Sequence, residues 1–234
     1  MNWENKVVVV TGACGNLGQA VAALFRQAGA SLVLLDLDRQ RLEAQYGSED
    51  DRQTFAAADL LDRAEMAAAF KAATDRFGRI DVLCNLAGGF RMGPPVHETT
   101  DQDWNFLFDL NARSVLHAVH AVVPQMIAAG RGAVVNVAAS AALKGAAGMG
   151  AYCASKDVVI RITEAMSAEL RDKGINVNCV LPSIIDTPEN RAAMPASDPS
   201  RWVAPEALAK VIAFLASDDA AAIHGAAIPV TGLS

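Results

Sequence analysis

Lys6-Val7-Val8-Val9-Val10-Thr11-Gly12-Ala13-Cys14-Gly15-Asn16-Leu17-Gly18 is the stretch from which the rest of the chain is read. Successive valines make a strand-length apolar run without polar alternation, the pattern of a parallel strand buried on both faces. The glycines that follow let backbone turn tightly and approach a ligand closely. They open a helix whose unpaired N–H groups and positive dipole end suit a pyrophosphate. The spacing is G-x-x-G-x-x-G and not the tighter G-x-G-x-x-G, so the motif alone is equally a glycine-rich turn. Its context makes Gly12, Cys14, Gly15, Asn16, Leu17 and Gly18 candidate cofactor-binding residues.

That context begins at Asp36, eighteen residues beyond Gly18 and directly after the apolar run Leu32 to Leu35. A carboxylate at the end of a second strand can accept hydrogen bonds from both hydroxyls of an adenosine ribose and repels a 2'-phosphate. Arg39 is a cation that would favour the phosphate, but Asp36 and Asp38 precede it. NAD(H) is therefore favoured over NADP(H). Asp36 can equally serve as the N-cap of the next helix.

Further out, strand-length runs at Thr54 to Ala58, Val82 to Cys84, Ala133 to Val137 and Ile175 to Val180 alternate with helical stretches. The helices are expected at Gln19 to Ala28, Ala64 to Phe77, Asp101 to Ala129 and Tyr152 to Asp172, most of them closed by glycine. Right-handed crossovers then give an α/β fold, a Rossmann-type doubly wound parallel sheet in a single domain spanning residues 1–234. The five prolines between Pro182 and Pro205 mark that segment as a substrate flap at the carboxyl edge of the sheet.

The bulk numbers agree. A chain of 234 residues holds one large α/β domain. With 52% hydrophobic residues but only 6% aromatics, the core must be built from Ala, Val, Leu and Ile. A net charge of -6 with dispersed Lys and Arg offers no basic stripe, which argues against a nucleic-acid partner. No apolar run reaches membrane-spanning length, and the first residues lack the regions of a signal peptide, so the expected location is cytoplasmic. Cys14, Cys84, Cys153 and Cys179 form no CxxC and read as reduced and structural. His97, His117, His120 and His224 do not make a metal set, so no metal site is expected.

In Gly150-Ala151-Tyr152-Cys153-Ala154-Ser155-Lys156, Tyr152 and Lys156 stand four apart on one helix face. A nearby ammonium favours phenolate, which would bring the hydroxyl into range as acid or base. Taken alone, the pair is equally an ordinary surface Tyr and Lys.

Together these motifs resemble the short-chain dehydrogenase/reductase family across essentially the whole chain. The resemblance implies an NAD(P)-dependent oxidoreductase moving hydride between the cofactor and a carbonyl, alcohol or C=N substrate, with Tyr152 as acid/base and Lys156 as its partner. Asn111, within Leu110-Asn111-Ala112, matches the family's asparagine that interrupts a helix and holds a water leading from the lysine to solvent. Asn85-Leu86-Ala87-Gly88 matches the N-x-A-G stretch along the cofactor, which assigns Asn85, Ala87 and Gly88. Asp59-Leu60 matches the adenine-contacting pair. Pro182-Ser183-Ile184-Ile185-Asp186-Thr187 matches the segment that holds the nicotinamide carboxamide, assigning Pro182, Ile185 and Thr187, with Ser183 in place of a glycine.

One departure stands out. The family's catalytic serine precedes the tyrosine by thirteen residues, and that position here is Ala139; Ser140 lies one residue late. Both are possible substrate contacts. Alanine at this position, with Ala141-Ala142-Leu143-Lys144-Gly145 and Asp186-Thr187-Pro188, is a local resemblance to the dihydropteridine reductase branch and implies an NADH-dependent activity of that type as an alternative. Ser140 swinging in is a second, and a non-catalytic, cofactor-binding regulator a third. The apolar face of the Tyr152 helix and Val230-Thr231-Gly232 resemble family interfaces, which implies a homo-oligomer, a tetramer or a dimer.

Overall fold

A computed structural model describes all 234 residues. The chain alternates between strands β1 (Val7–Thr11), β2 (Ser31–Asp36), β3 (Gln53–Ala57), β4 (Val82–Asn85), β5 (Gly132–Val137), β6 (Ile175–Pro182) and β7 (Ala227–Val230) and intervening helices. All seven strands form one parallel sheet in the order β3-β2-β1-β4-β5-β6-β7. Parallel neighbours need crossover helices, and these cover both faces of the sheet.

The valine run explains how. Val8 and Val10 point to one face, where Leu32 and Leu34 join Val21 and Phe25 of α1 (Asn16–Gln27) and Leu208 and Ile212 of α8 (Pro205–Ala216). Val7 and Val9 point to the other. There they meet Met66 and Phe70 of α3 (Arg63–Phe77), Val122 and Met126 of α5 (Ser114–Ala129), and Met166 and Leu170 of α6 (Gly150–Leu170). Strict two-residue alternation within an all-apolar strand thus feeds two separate cores.

Helix ends follow local chemistry. Asp62 accepts hydrogen bonds from the N–H groups of Ala64 and Glu65 to start α3, and Gly78, at φ +77°, ends it. α1 begins at Asn16, three residues before the expected Gln19, and α6 at Gly150, two before Tyr152. The expected single helix from Asp101 to Ala129 is two helices, α4 (Asp101–Phe108) and α5, joined by a π-helical turn over Asp109–Arg113. That widened turn turns Asn111 inward, where it is 1% exposed. Three helices fall outside the expectations, the short α7 (Pro188–Ala193) and two longer ones. In α2 (Arg39–Tyr46) only Leu42 is buried, so it carries no apolar period; α8 carries one and begins with proline at its first turn.

The segment from Pro182 to Pro205 is anchored at its base. Val203 donates to the carbonyl of Ile184 and Asp186 to that of Val203, while Trp202 and Val203 are buried. Between them lies the short helix α7 (Pro188–Ala193), capped by Thr187. The strand order reverses between β1 and β4, which opens a crevice beyond their carboxyl ends. The Gly12 to Gly18 turn and the Asn85 to Gly89 segment both leave the sheet there.

Candidate active site

The crevice is shaped first by glycine. Gly12 has φ +65°, and a Cβ there would lie 2.9 Å from Cα of Ala87, so only glycine lets the chain turn beside the strand that follows β4. A Cβ on Gly18 would lie 2.7 Å from the carbonyl oxygen of Ala13, which requires glycine where α1 packs on its own entry turn. Gly15 is exposed and meets only one atom, the Gly12 carbonyl oxygen at 3.3 Å, which leaves open space at the N-terminus of α1. An open glycine at a helix N-terminus fits a pyrophosphate. The hydroxyl of Tyr46 donates to Ala13 O at 2.6 Å and braces the turn from α2.

Asp36 stands at the mouth. One carboxylate oxygen accepts the Cys14 N–H at 2.9 Å and the other the Leu37 N–H at 2.9 Å, so each retains a lone pair for a ribose hydroxyl. The Cys14 N–H is therefore committed to Asp36 and not to a phosphate. Burial, with the Asp36 charge second, pushes the Cys14 thiol up to about 11. The N-cap of α2 is Asp38, not Asp36. The cation beside Asp36 is also not Arg39, which pairs with Glu43 and Glu49; it is Arg41, 3.7 Å from the carboxylate.

Asn16 donates its amide to Glu189 at 2.8 Å and so ties the glycine turn to α7, while Leu17 packs against the core. Asp59 accepts the Leu61 N–H at 2.8 Å, and the Leu60 carbonyl oxygen lies 2.9 Å from Nδ1 of His117. Together these contacts fix the loop after β3 and give buried His117 a structural role. Thr187 caps α7, and the Ile185 carbonyl accepts from Asn190.

Inside the sheet, Asn85 donates to Asn136, and Asn136 to Thr163, at 2.8 and 2.9 Å. Thr11 Oγ1 accepts the N–H groups of Leu86 and Ala87 at 3.1 and 3.3 Å, pinning the start of the Ala87-Gly88 segment. Asn136 and Thr11 were legible only as polar residues within or ending apolar strands.

Lys156, Asn111 and Gly88 meet at one point. A Cβ on Gly88 would lie 2.9 Å from Nζ of Lys156 and 3.0 Å from Oδ1 of Asn111. Lys156 is buried and donates to the Val137 carbonyl at 3.0 Å. Asn111 accepts from Gly89 N–H at 2.9 Å and donates to Gly89 O and Ser155 Oγ, both at 3.0 Å. Burial pushes the two helix partners in opposite directions. Lys156 falls to about 8, and Tyr152 rises to about 12, raised by desolvation first and Cys153 second. In the cofactor-free chain, desolvation of the phenol outweighs the pull of the neighbouring ammonium. Phe90 sets its ring edge against Tyr152 with centroids 4.9 Å apart, a contact no motif announced.

The family model described as short chain dehydrogenase matches residues 6–197. The chain belongs to the short-chain dehydrogenase/reductase family. It is 34% identical to D-threitol dehydrogenase of Mycolicibacterium smegmatis, covering 98% of this chain and 92% of that one. It is 35% identical to cyclohexanol dehydrogenase of an Acinetobacter species, over 98% and 95%. The structure of NAD+-bound xylitol dehydrogenase superimposes with a TM-score of 0.91 at 28% identity, over 99% of this chain and all of that one.

Within this family frame the serine question has a geometric answer. Ala139 is buried and extended and carries no hydroxyl, while Ser140 donates to the Pro182 carbonyl at 2.9 Å. Its hydroxyl clasps the turn after β5 to the end of β6. Ser140→Ala is thus expected to lower stability by about 1 kcal/mol in urea unfolding while leaving turnover within about threefold; a drop of about a hundredfold, the scale of a lost catalytic donor, would return the serine to the chemistry.

The buried amine carries a stability cost with a defined pH window. Its pKa falls from 10.5 to about 8 on folding, so the unfolded chain holds more protons between those values. The cost is full below about pH 8 and fades as pH rises toward 10.5. Lys156→Met should therefore raise the stability of the cofactor-free protein at pH 7, by on the order of 1 to 3 kcal/mol, and the gain should shrink toward pH 10. Thermal unfolding across that range checks it, and a loss of stability at pH 7 would contradict it.

Proposed function

We propose that this chain is an NAD(H)-dependent oxidoreductase that interconverts a ketone and its secondary alcohol, with Tyr152 as the proton donor or acceptor. The observation that carries the reading is the convergence of Asn111 and Gly88 on Lys156, one turn along α6 from Tyr152, at a crevice whose glycine turn and Asp36 fit a dinucleotide. When bound, the nicotinamide supplies or takes the hydride at the substrate carbon.

The residues of the chain do the rest. In the reducing direction the carbonyl oxygen takes the phenolic proton of Tyr152 as its carbon takes the hydride, so the product is a neutral alcohol. Lys156, fixed on Val137 O, places positive charge behind the phenolate left on Tyr152. Asn111 holds Gly89 on both its N–H and its carbonyl, which keeps the segment beside Lys156 in place. Asn85, Ala87, Gly88, Asp59, Leu60, Pro182, Ile185 and Thr187 line the path from adenine to nicotinamide in this reading. Residues 182–205, tied to the glycine turn through Glu189 and Asn16, close over it.

Asp36 supports NAD(H) over NADP(H): the lone pairs it retains suit ribose hydroxyls, and its charge opposes a 2'-phosphate despite Arg41 nearby. Solved structures similar to this chain hold either cofactor, so selection falls to such local groups. By their names, the two relatives act on a polyol and a cyclic alcohol.

Two measurements test this. Fluorescence titration should show NADH binding at least about tenfold tighter than NADPH, and Asp36→Ala should remove most of that difference, as expected for losing about 1.5 kcal/mol or more of charged hydrogen bonding. Tyr152→Phe should lower turnover by roughly a hundredfold or more with NADH affinity nearly unchanged; lost NADH binding would make Tyr152 a structural residue.

A further inference from the structure

The substrate end of the site carries its own information, and the inference from it rests on the oxidoreductase reading above. Three of the hydrogen-bonding side chains around Tyr152 are already committed. Ser140 gives its hydroxyl to Pro182 O, Ser155 to Tyr152 O, and the Asn111 amide donates to Gly89 O and Ser155. Ala139 offers none. A substrate carrying several hydroxyls would leave them unpaired here, at about 1 to 3 kcal/mol each.

What the site does offer is apolar surface. Phe90 is 57% exposed even while its edge rests on the Tyr152 ring. Met92 and Val96 extend the wall: a Cβ on Gly148 would lie 3.2 Å from Cε of Met92, and one on Gly150 2.7 Å from Cγ2 of Val96. The two glycines lie four and two residues before Tyr152. Gly93 N–H binds the Gly148 carbonyl at 2.8 Å, which clamps this segment onto the entry of α6. The charge nearest Phe90 is spent elsewhere, since Arg91 pairs with Asp103 and lies over the Phe106 ring at 4.2 Å. Leu143, exposed on the turn that follows Ser140, adds a further apolar group.

We infer that the substrate is an apolar ring ketone, or the ring alcohol made from it, and that Phe90 is its specificity-determining residue. An aromatic face can lie against a saturated or conjugated ring while its edge rests on the Tyr152 ring, so Phe90 sets the plane of the substrate ring beside the proton donor. The carbonyl oxygen then meets one donor, Tyr152, and binding comes from the ring and not from further polar contacts.

The test is steady-state NADH oxidation with cyclohexanone and methyl-substituted cyclohexanones against dihydroxyacetone, erythrulose, quinonoid dihydropterin and the small acyclic ketone butanone. The ring ketones should have the highest kcat/KM. Phe90→Ala should lower that ratio for ring ketones by about tenfold or more, roughly the share of binding a lost aromatic contact carries. Butanone should change less than about threefold, NADH affinity should be unchanged, and Phe90→Leu should restore part of the ring preference. Preference for the polyhydroxy ketones or the pterin, or an equal loss on every substrate in Phe90→Ala, would overturn the inference and leave the oxidoreductase reading standing. NADH binding with no oxidation by any of these compounds would overturn both.

Discussion

The position of β1 is the constraint on which the rest depends. It lies third in a seven-stranded parallel sheet, is fully apolar through Val7 to Val10, and must be covered on both faces. Parallel pairing on each side forbids hairpins, so the chain crosses over a helix between neighbouring strands. Because β2 lies on one side of β1 and β4 on the other, the two crossovers diverge, and no helix covers the carboxyl end between them. The crevice is a consequence of burying a valine strand in this topology. The glycine turn, Asp36, the Asn85 to Gly89 segment and the entry of α6 converge there because each leaves the carboxyl end of a strand or closes the loop that follows it.

The parts of the crevice are also coupled to one another through the backbone more than through side-chain pairs. Thr11 holds Leu86 and Ala87, Asn111 holds both polar groups of Gly89, Lys156 holds Val137, and Ser140 holds Pro182. In each case a side chain from one element fixes the main chain of another at the sheet edge. Such bonds leave little freedom for the loops that bear the site, which is what a hydride transfer over a short distance requires.

The sheet, its parallel pairing and the single domain were legible because apolar runs of strand length alternate with helical periods over the whole chain. α2 was not, because Arg39-Gln40-Arg41-Leu42-Glu43-Ala44-Gln45-Tyr46 has one buried residue and its end is held by the Tyr46 hydroxyl, a tertiary bond. At the site, the positions of Tyr152, Lys156 and Asn111 could be read, but the direction of the electrostatics could not. Spacing of four along a helix implies a neighbouring charge; it does not reveal that Lys156 is buried and Tyr152 half-buried, or that Lys156 turns to Val137 O. Arg39 and Arg41 show the same limit. They differ by two positions in sequence, and only the start of α2 decides which of them faces Asp36. The contact of Phe90 with Tyr152 could not be read, since an aromatic residue in a loop has no periodicity to betray its partner.

The opposed shifts of Tyr152 and Lys156 bear on how the site works. Free tyrosine and lysine lose their protons at nearly the same pH, and here the same dry environment holds the phenol to about 12 and lowers the amine to about 8. Near neutral pH the resting site therefore has a protonated phenol ready to donate and an ammonium held in place by a single backbone carbonyl. A proton passed from Tyr152 to a nascent alkoxide moves from the weaker base to the stronger, so the high pKa of the phenol does not prevent donation, and the phenolate left behind is stabilised by the nearest cation in a medium of low dielectric. Running the other way demands that Tyr152 first lose its proton against the full desolvation cost. Positive charge brought close to Tyr152 would lower that cost, so the same residues can serve either direction.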